Sequence, residues 1–157
     1  MRLDELAEEE ACMRLGARQR REGIYLIDSF PGWYYKRLAE VCPINIFDED
    51  EAERRLELYE ELKSADFYHP ETLFSVYDVD DGKYSVHCLM PELDTSEPER
   101  VLREREKIIE KLDICRVILN SFDKKMSTDV GIENWGYDGN KPYFIDMEIV
   151  SYSRSNT

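Results

Sequence analysis

The spacing of apolar positions changes several times along the chain, and each change predicts an element. Residues 3–15 (LDELAEEEACMRL) read as a short helix that Gly16 can terminate. Two β-prone runs follow, Gly23–Asp28 (GIYLID) and Trp33–Leu38 (WYYKRL), separated by Ser29-Phe30-Pro31-Gly32. Pro followed by Gly is turn chemistry, so these runs predict a hairpin. Residues 48–63 (DEDEAERRLELYEELK) give the clearest helix, with acidic residues in the first turn and Ala52, Leu56, Tyr59 and Leu62 in one apolar stripe. Thr72–Val79 and Lys83–Met90 flank Asp80-Asp81-Gly82 and predict a second hairpin, which Pro91 ends. A long helix is expected from about Pro98 to Phe122. Its wide buried face comprises Val101, Leu102, Ile108, Ile109, Leu112, Val117 and Ile118. A loop through Ser127–Glu133 then leads to a third hairpin, with arms Asn134–Tyr137 and Lys141–Asp146 turning at Asp138-Gly139.

This order predicts an α+β fold in two parts. Residues 1–93 form a small antiparallel sheet with one principal helix. Residues 94–157 form a helix-led part, and the cleft between the two is the expected ligand site.

Composition narrows the function. Apolar residues make up 42% and aromatic residues 11%, enough for a packed core despite 36% charge. The net charge of −14 argues against nucleic acid, whose phosphates such a field repels. A nucleotide remains compatible, because local lysines and a metal ion can outweigh the global field. Cys12, Cys42, Cys88 and Cys115 are scattered, and with His69 and His87 they make no zinc spacing. Buried free thiols in a reducing cytoplasm are expected. No apolar run approaches the length of a membrane span, and no signal peptide is read, so no membrane partner is expected.

The residues best suited to chemistry lie in Asp129-Val130-Gly131-Ile132-Glu133-Asn134 and in Tyr143-Phe144-Ile145-Asp146. A loop aspartate can orient an attacking hydroxyl. An asparagine five residues later can offer an amide oxygen to Mg²⁺. Three apolar residues anchor a strand and fix the carboxylate that follows. A hard cation takes this mixture of oxygens, with phosphate oxygens and water completing the octahedron. The bland alternatives are a loop Asp129 bonding its own backbone and a strand-end Asp146 in a turn. Trp33, Tyr34, Tyr35, Trp135 and Tyr137 read as sheet packing in preference to a stacking platform.

The sequence D-x-x-x-x-N, a hairpin, then apolar-apolar-Asp resembles the catalytic loop and metal-binding strand of the protein-kinase-like superfamily. The resemblance runs over roughly residues 15–150. It implies ATP and Mg²⁺ as cofactors, Asp129 as the catalytic residue that orients the acceptor hydroxyl, and Asn134 and Asp146 as metal ligands. Lys36 in YYKR resembles the lysine that holds nucleotide phosphates, against the alternative of an edge-strand lysine. Residues 48–63 resemble the N-lobe helix, whose Glu57 has suitable spacing to pair with Lys36, while the helical wheel favours Glu53 and Glu60. His69-Pro70 resembles the break after that helix, and Tyr84–Leu93 the strand entering the hinge.

The departures shape the expectation. Gly16 and Gly23 are what remain of a Gly-rich loop, so Gly23 is the expected nucleotide-contacting glycine, with Arg18, Arg20 or Arg21 compensating for lost glycines. Ser127-Thr128 precedes Asp129 where the family has His-Arg, and Asp146-Met147-Glu148 stands for Asp-Phe-Gly, which is similar to the small-molecule phosphotransferase branches. Eleven residues after Asp146 leave no room for an activation segment. The expected function is ATP- and Mg²⁺-dependent phosphoryl transfer on a C-terminally abbreviated kinase-like fold, with the phosphate acceptor, small molecule or protein, unassigned. The rivals are a pseudokinase that binds nucleotide or protein without turnover, and an interaction protein with chance motif matches.

Overall fold

The computed structural model describes residues 3, 17–21, 23–27, 31–122, 126–128, 131–147 and 149–151. The fold is α+β, and the chain divides into two compact units, Met1–Glu60 with Glu71–Glu92, and Glu61–Pro70 with Leu93–Thr157. The helix read over 3–15 lies outside the described residues apart from Leu3.

The first unit is built on five antiparallel strands: β1 (Ala17–Arg21), β2 (Ile24–Ile27), β3 (Trp33–Arg37), β4 (Leu73–Asp80) and β5 (Lys83–Pro91), in the order β1-β2-β3-β5-β4. The two predicted hairpins are β2–β3 and β4–β5. At the β4–β5 turn Asp81 (φ 41°) and Gly82 (φ 79°) both take left-handed conformations, which suits the twist of a two-residue hairpin loop. β1 is an element the sequence reading did not contain, and β3 ends sooner than expected, because Leu38–Val41 turn into a short helix, α1.

Helix α2 (Glu49–Ser64) starts where the Asp48 carboxylate accepts the Glu51 amide at 2.8 Å, with Glu49, Asp50 and Glu51 complementing the dipole. Its buried face is wider than the predicted stripe. Ala52, Leu58, Tyr59 and Leu62 are buried together with Arg55, while Leu56 is half-buried. Arg55 is held by Glu51 at 3.3 Å and lies over the Phe47 ring at 4.8 Å, which lets a guanidinium sit inside. Tyr59 stacks on Phe74 of β4, with centroids 5.0 Å apart, so α2 covers the sheet face that carries Phe74. The opposite face packs Tyr35 with Ile27, Leu89 and Leu3.

The C-terminus of α2 is closed by two bonds, Asp66 N–H to the Lys63 carbonyl and Phe67 N–H to the Leu62 carbonyl, both 3.0 Å. Asp66 takes φ 61° there. This pattern turns the chain sharply and sends Phe67 inward.

In the second unit Phe67 stacks on Phe144 at 4.8 Å and meets Trp135 edge-on at 5.8 Å. That packing is why residues 61–70 belong here, although the sequence reading assigned them to the first part. The long helix is two helices, α3 (Glu99–Arg103) and α4 (Arg105–Phe122), broken at Glu104. Their buried residues are Val101, Ile108, Cys115 and Leu119. Leu102, Ile109 and Val117, expected inside, are exposed, because only one stripe of the helix finds a packing surface. The remaining strands are β6 (Met126–Thr128), β7 (Trp135–Asp138), β8 (Lys141–Phe144) and β9 (Ile149–Ser151), paired antiparallel as β6–β9 and β7–β8. Among the described residues no helix is long and apolar enough to cross a membrane. Cys42, Cys88 and Cys115 are free thiols, and burial pushes Cys88 and Cys115 up to about 12.

Candidate functional site

In the first unit, Lys36 sits on β3, the middle strand, paired with Ile24 of β2 and Cys88 of β5. The edge-strand alternative is therefore removed. Cys88 in turn pairs with Phe74 of β4, the residue that stacks on Tyr59. Strand neighbours in register share a face, so Lys36 lies on the face covered by α2. It is buried, at 9% exposure. A lysine is almost never this buried unless its charge is compensated.

The helix carboxylates considered for it differ in exposure. Glu53 and Glu57 are exposed and Glu60 is half-buried. Glu57 takes a solvent-facing position on α2. Glu60 is the acid of the three that α2 carries partly inside.

Gly23 is explained by packing. Its φ is 80°, and a Cβ there would fall 2.7 Å from the Val41 amide nitrogen and 2.9 Å from the Arg37 carbonyl oxygen. Its own carbonyl accepts the Arg37 amide at 2.8 Å. The β1–β2 register brings Arg21 opposite Ile24, so the connection is residues 22–23 alone. Residues 17–21 of the expected Gly-rich loop remnant form strand β1, an edge strand paired with β2 alone.

In the second unit the expected metal ligands flank the third hairpin. In the β7–β8 hairpin Trp135 is opposite Phe144, and the Ile145 amide donates to the Asn134 carbonyl at 2.8 Å. That bond sets Asn134 opposite Ile145, the residue before Asp146, at the open end of the hairpin, and Asn134 and Asp146 are both half-buried. A single turn of 3-10 helix over Ile132–Asn134, with the Asn134 amide bonded to the Gly131 carbonyl at 3.0 Å, delivers the asparagine to that position. Buried Tyr143 and Phe144 anchor the strand before Asp146, and buried Met147 follows it. An amide oxygen and a carboxylate are donors of the kind that fits Mg²⁺ and not a soft metal. Among the described residues no three His, Cys, Asp or Glu side chains gather as a metal-binding group.

Asp129, the expected catalytic residue, lies outside the described residues. The chain just before it is tied down, since Thr128 of β6 pairs with Ile149 of β9. The aromatic residues follow the packing expectation: Tyr35, Trp135 and Tyr137 are buried and Trp33 and Tyr34 half-buried.

Two polar clusters escaped the sequence reading. His69 Nε2 is 2.8 Å from the Asp138 carboxylate, with its ring edge-on to Tyr143 at 5.0 Å. Glu104 receives Arg100 and Lys107, each at 2.9 Å. The first needs a partner 69 residues away, which no local pattern reveals; the second has i,i+4 and i,i+3 spacing and was legible. Set against family models, curated proteins and solved structures, the chain matches none of them.

Proposed function

We propose that the protein is a Mg²⁺-nucleotide-binding phosphotransferase of kinase-like type. The observation that supports this reading is the β7–β8 hairpin, whose Ile145-to-Asn134 backbone bond sets Asn134 opposite the residue that precedes Asp146. A second support is the buried Lys36 on the α2-covered face of a five-stranded antiparallel sheet.

In this reading Mg²⁺, when bound, neutralises charge on the phosphate oxygens. Asn134 and Asp146 hold it through an amide and a carboxylate oxygen. Lys36 offers a charge to the nucleotide phosphates from a buried position where water screens it little. Asp129 orients the acceptor hydroxyl and takes up its proton. Positioning and electrostatics supply most of the rate, since the protein forms no covalent bond to the phosphoryl group.

The two-residue β1–β2 connection favours a second reading, a pseudokinase that keeps nucleotide without turnover. Thermal unfolding with ATP, with and without Mg²⁺, tests both. Binding to the folded state alone raises Tm. The rise is expected to be larger with Mg²⁺, and Asp146→Asn should abolish the metal-dependent part. Asp129→Asn should leave binding intact and reduce ATP turnover by about 10²–10⁴-fold. No shift with any nucleotide would overturn both readings. A shift with no turnover against sugars, aminoglycosides and peptides would favour the pseudokinase.

A further inference from the structure

The second unit contains a groove of about 460 Å³ that the proposed phosphotransfer chemistry does not use. Its apolar surface comes from Ala65, Ile114, Pro142 and Tyr143, and its cations are Lys107, Lys111 and Lys141. Such a grouping of lysines runs against the net charge of −14.

The three lysines are not equivalent. Lys107 is occupied by Glu104 at 2.9 Å. Lys111 donates one bond to the Asp66 carbonyl at 2.6 Å, and its ammonium lies 4.3 Å from the centroid of the Tyr143 ring. An ammonium has three donors, so others remain for a ligand. Burial lowers the pKa of Lys111, Asp66 acts against that, and the charge of Lys141 lowers it further. Lys141 is exposed, and among the described residues no ion pair engages it. The two cations thus repel each other across an apolar surface, and an anion between them relieves that repulsion. Asp66 and Glu110 also line the groove and Glu104 neutralises Lys107, so the lining as a whole carries no surplus of charge, and a single negative charge is the most that Lys111 and Lys141 can meet locally.

We infer that this groove binds a small organic monoanion, a carboxylate carried on an apolar body, with Lys111 and Lys141 holding the carboxylate and Tyr143, Ile114 and Pro142 covering the body. The pairing of charge and apolar surface distinguishes this ligand from free phosphate, which has no apolar body, and from a neutral aromatic, which has no charge.

Calorimetric titration with benzoate, benzyl alcohol and inorganic phosphate at fixed ionic strength tests the inference. Benzoate should bind at least about tenfold tighter than benzyl alcohol, because hydrogen bonds to a charged group are the stronger kind. Equimolar phosphate should not displace it. Lys141→Ala, at an exposed position, should remove the preference for benzoate, and Lys111→Met should do the same if it folds. Lys107→Ala should change the affinity less than twofold. Asp146→Asn and Lys36→Met should leave benzoate binding unaltered, so the groove and the nucleotide site fail or stand separately. Equal affinity for benzoate and benzyl alcohol, displacement by phosphate, absence of saturable benzoate binding, or indifference to Lys141→Ala would each overturn the inference.

Discussion

Lys36 and Cys88 face each other across β3 and β5, on the side of the sheet that α2 covers. Burial pushes the Cys88 thiol up to about 12, and the Lys36 charge works against that shift. A lysine this buried is compensated, and replacing it leaves its partner unmatched. Lys36→Met is therefore expected to lower the stability of the free protein. The same variant should lose the rise in Tm with Mg²⁺ and ATP. If that rise survives in full, Lys36 does not hold phosphate.

Gly23 is predicted to be intolerant of any side chain. Alanine there combines a left-handed φ with a contact of 2.7 Å to Val41. Gly23→Ala should cost about 2–4 kcal/mol in urea unfolding, the sum of the backbone penalty and the overpacking. A cost below about 0.5 kcal/mol would mean that the Gly23–Val41 approach is looser than described.

The His69–Asp138 bond ties the chain after α2 to the β7–β8 hairpin. Asp138 is exposed, with 64% of its side chain accessible, so Asp138→Ala should cost only about 1 kcal/mol. His69→Ala also removes a buried ring packed against Tyr143 and should cost about 2–3 kcal/mol. A double-mutant cycle separates the hydrogen bond from the packing. If His69→Ala costs no more than Asp138→Ala, the ring contributes nothing beyond its bond.

Glu104 gives a pH dependence of defined sign. Hydrogen bonds from Lys107 and Arg100 help bring its carboxyl from 4.5 down to about 2. The folded value lies below the unfolded one, so the contribution is complete above about pH 5 and is lost as pH falls from 4.5 towards 2. Glu104→Gln should be less stable than the parent at pH 7, with the difference shrinking across that interval. A difference that stays constant from pH 7 to pH 2 would remove the ionised Glu104 from the account.

The sequence by itself determined the elements whose cause is local. Asp48 and the acidic first turn start α2; Asp81-Gly82 and Asp138-Gly139 mark two hairpins; β-prone runs bounded by turn residues mark β2 to β5. It also placed Asn134 and Asp146 on the two flanks of a short hairpin, because the Asp138-Gly139 turn between them is local. Tertiary structure decided the rest. Lys36 became an interior residue when β2 and β5 paired on either side of β3, a partnership 52 residues distant in the case of Cys88. Gly23 became a packing glycine when Val41 closed on it. Val117 and Ile109 were left exposed because a helix buries only the stripe that meets a neighbour, and periodicity records how many apolar residues there are, not which of them a neighbour covers. The residues 61–70 joined the second unit because Phe67, turned inward by the α2 cap, stacks on Phe144. Each of these outcomes depends on contacts between segments far apart in the chain, which local spacing does not encode.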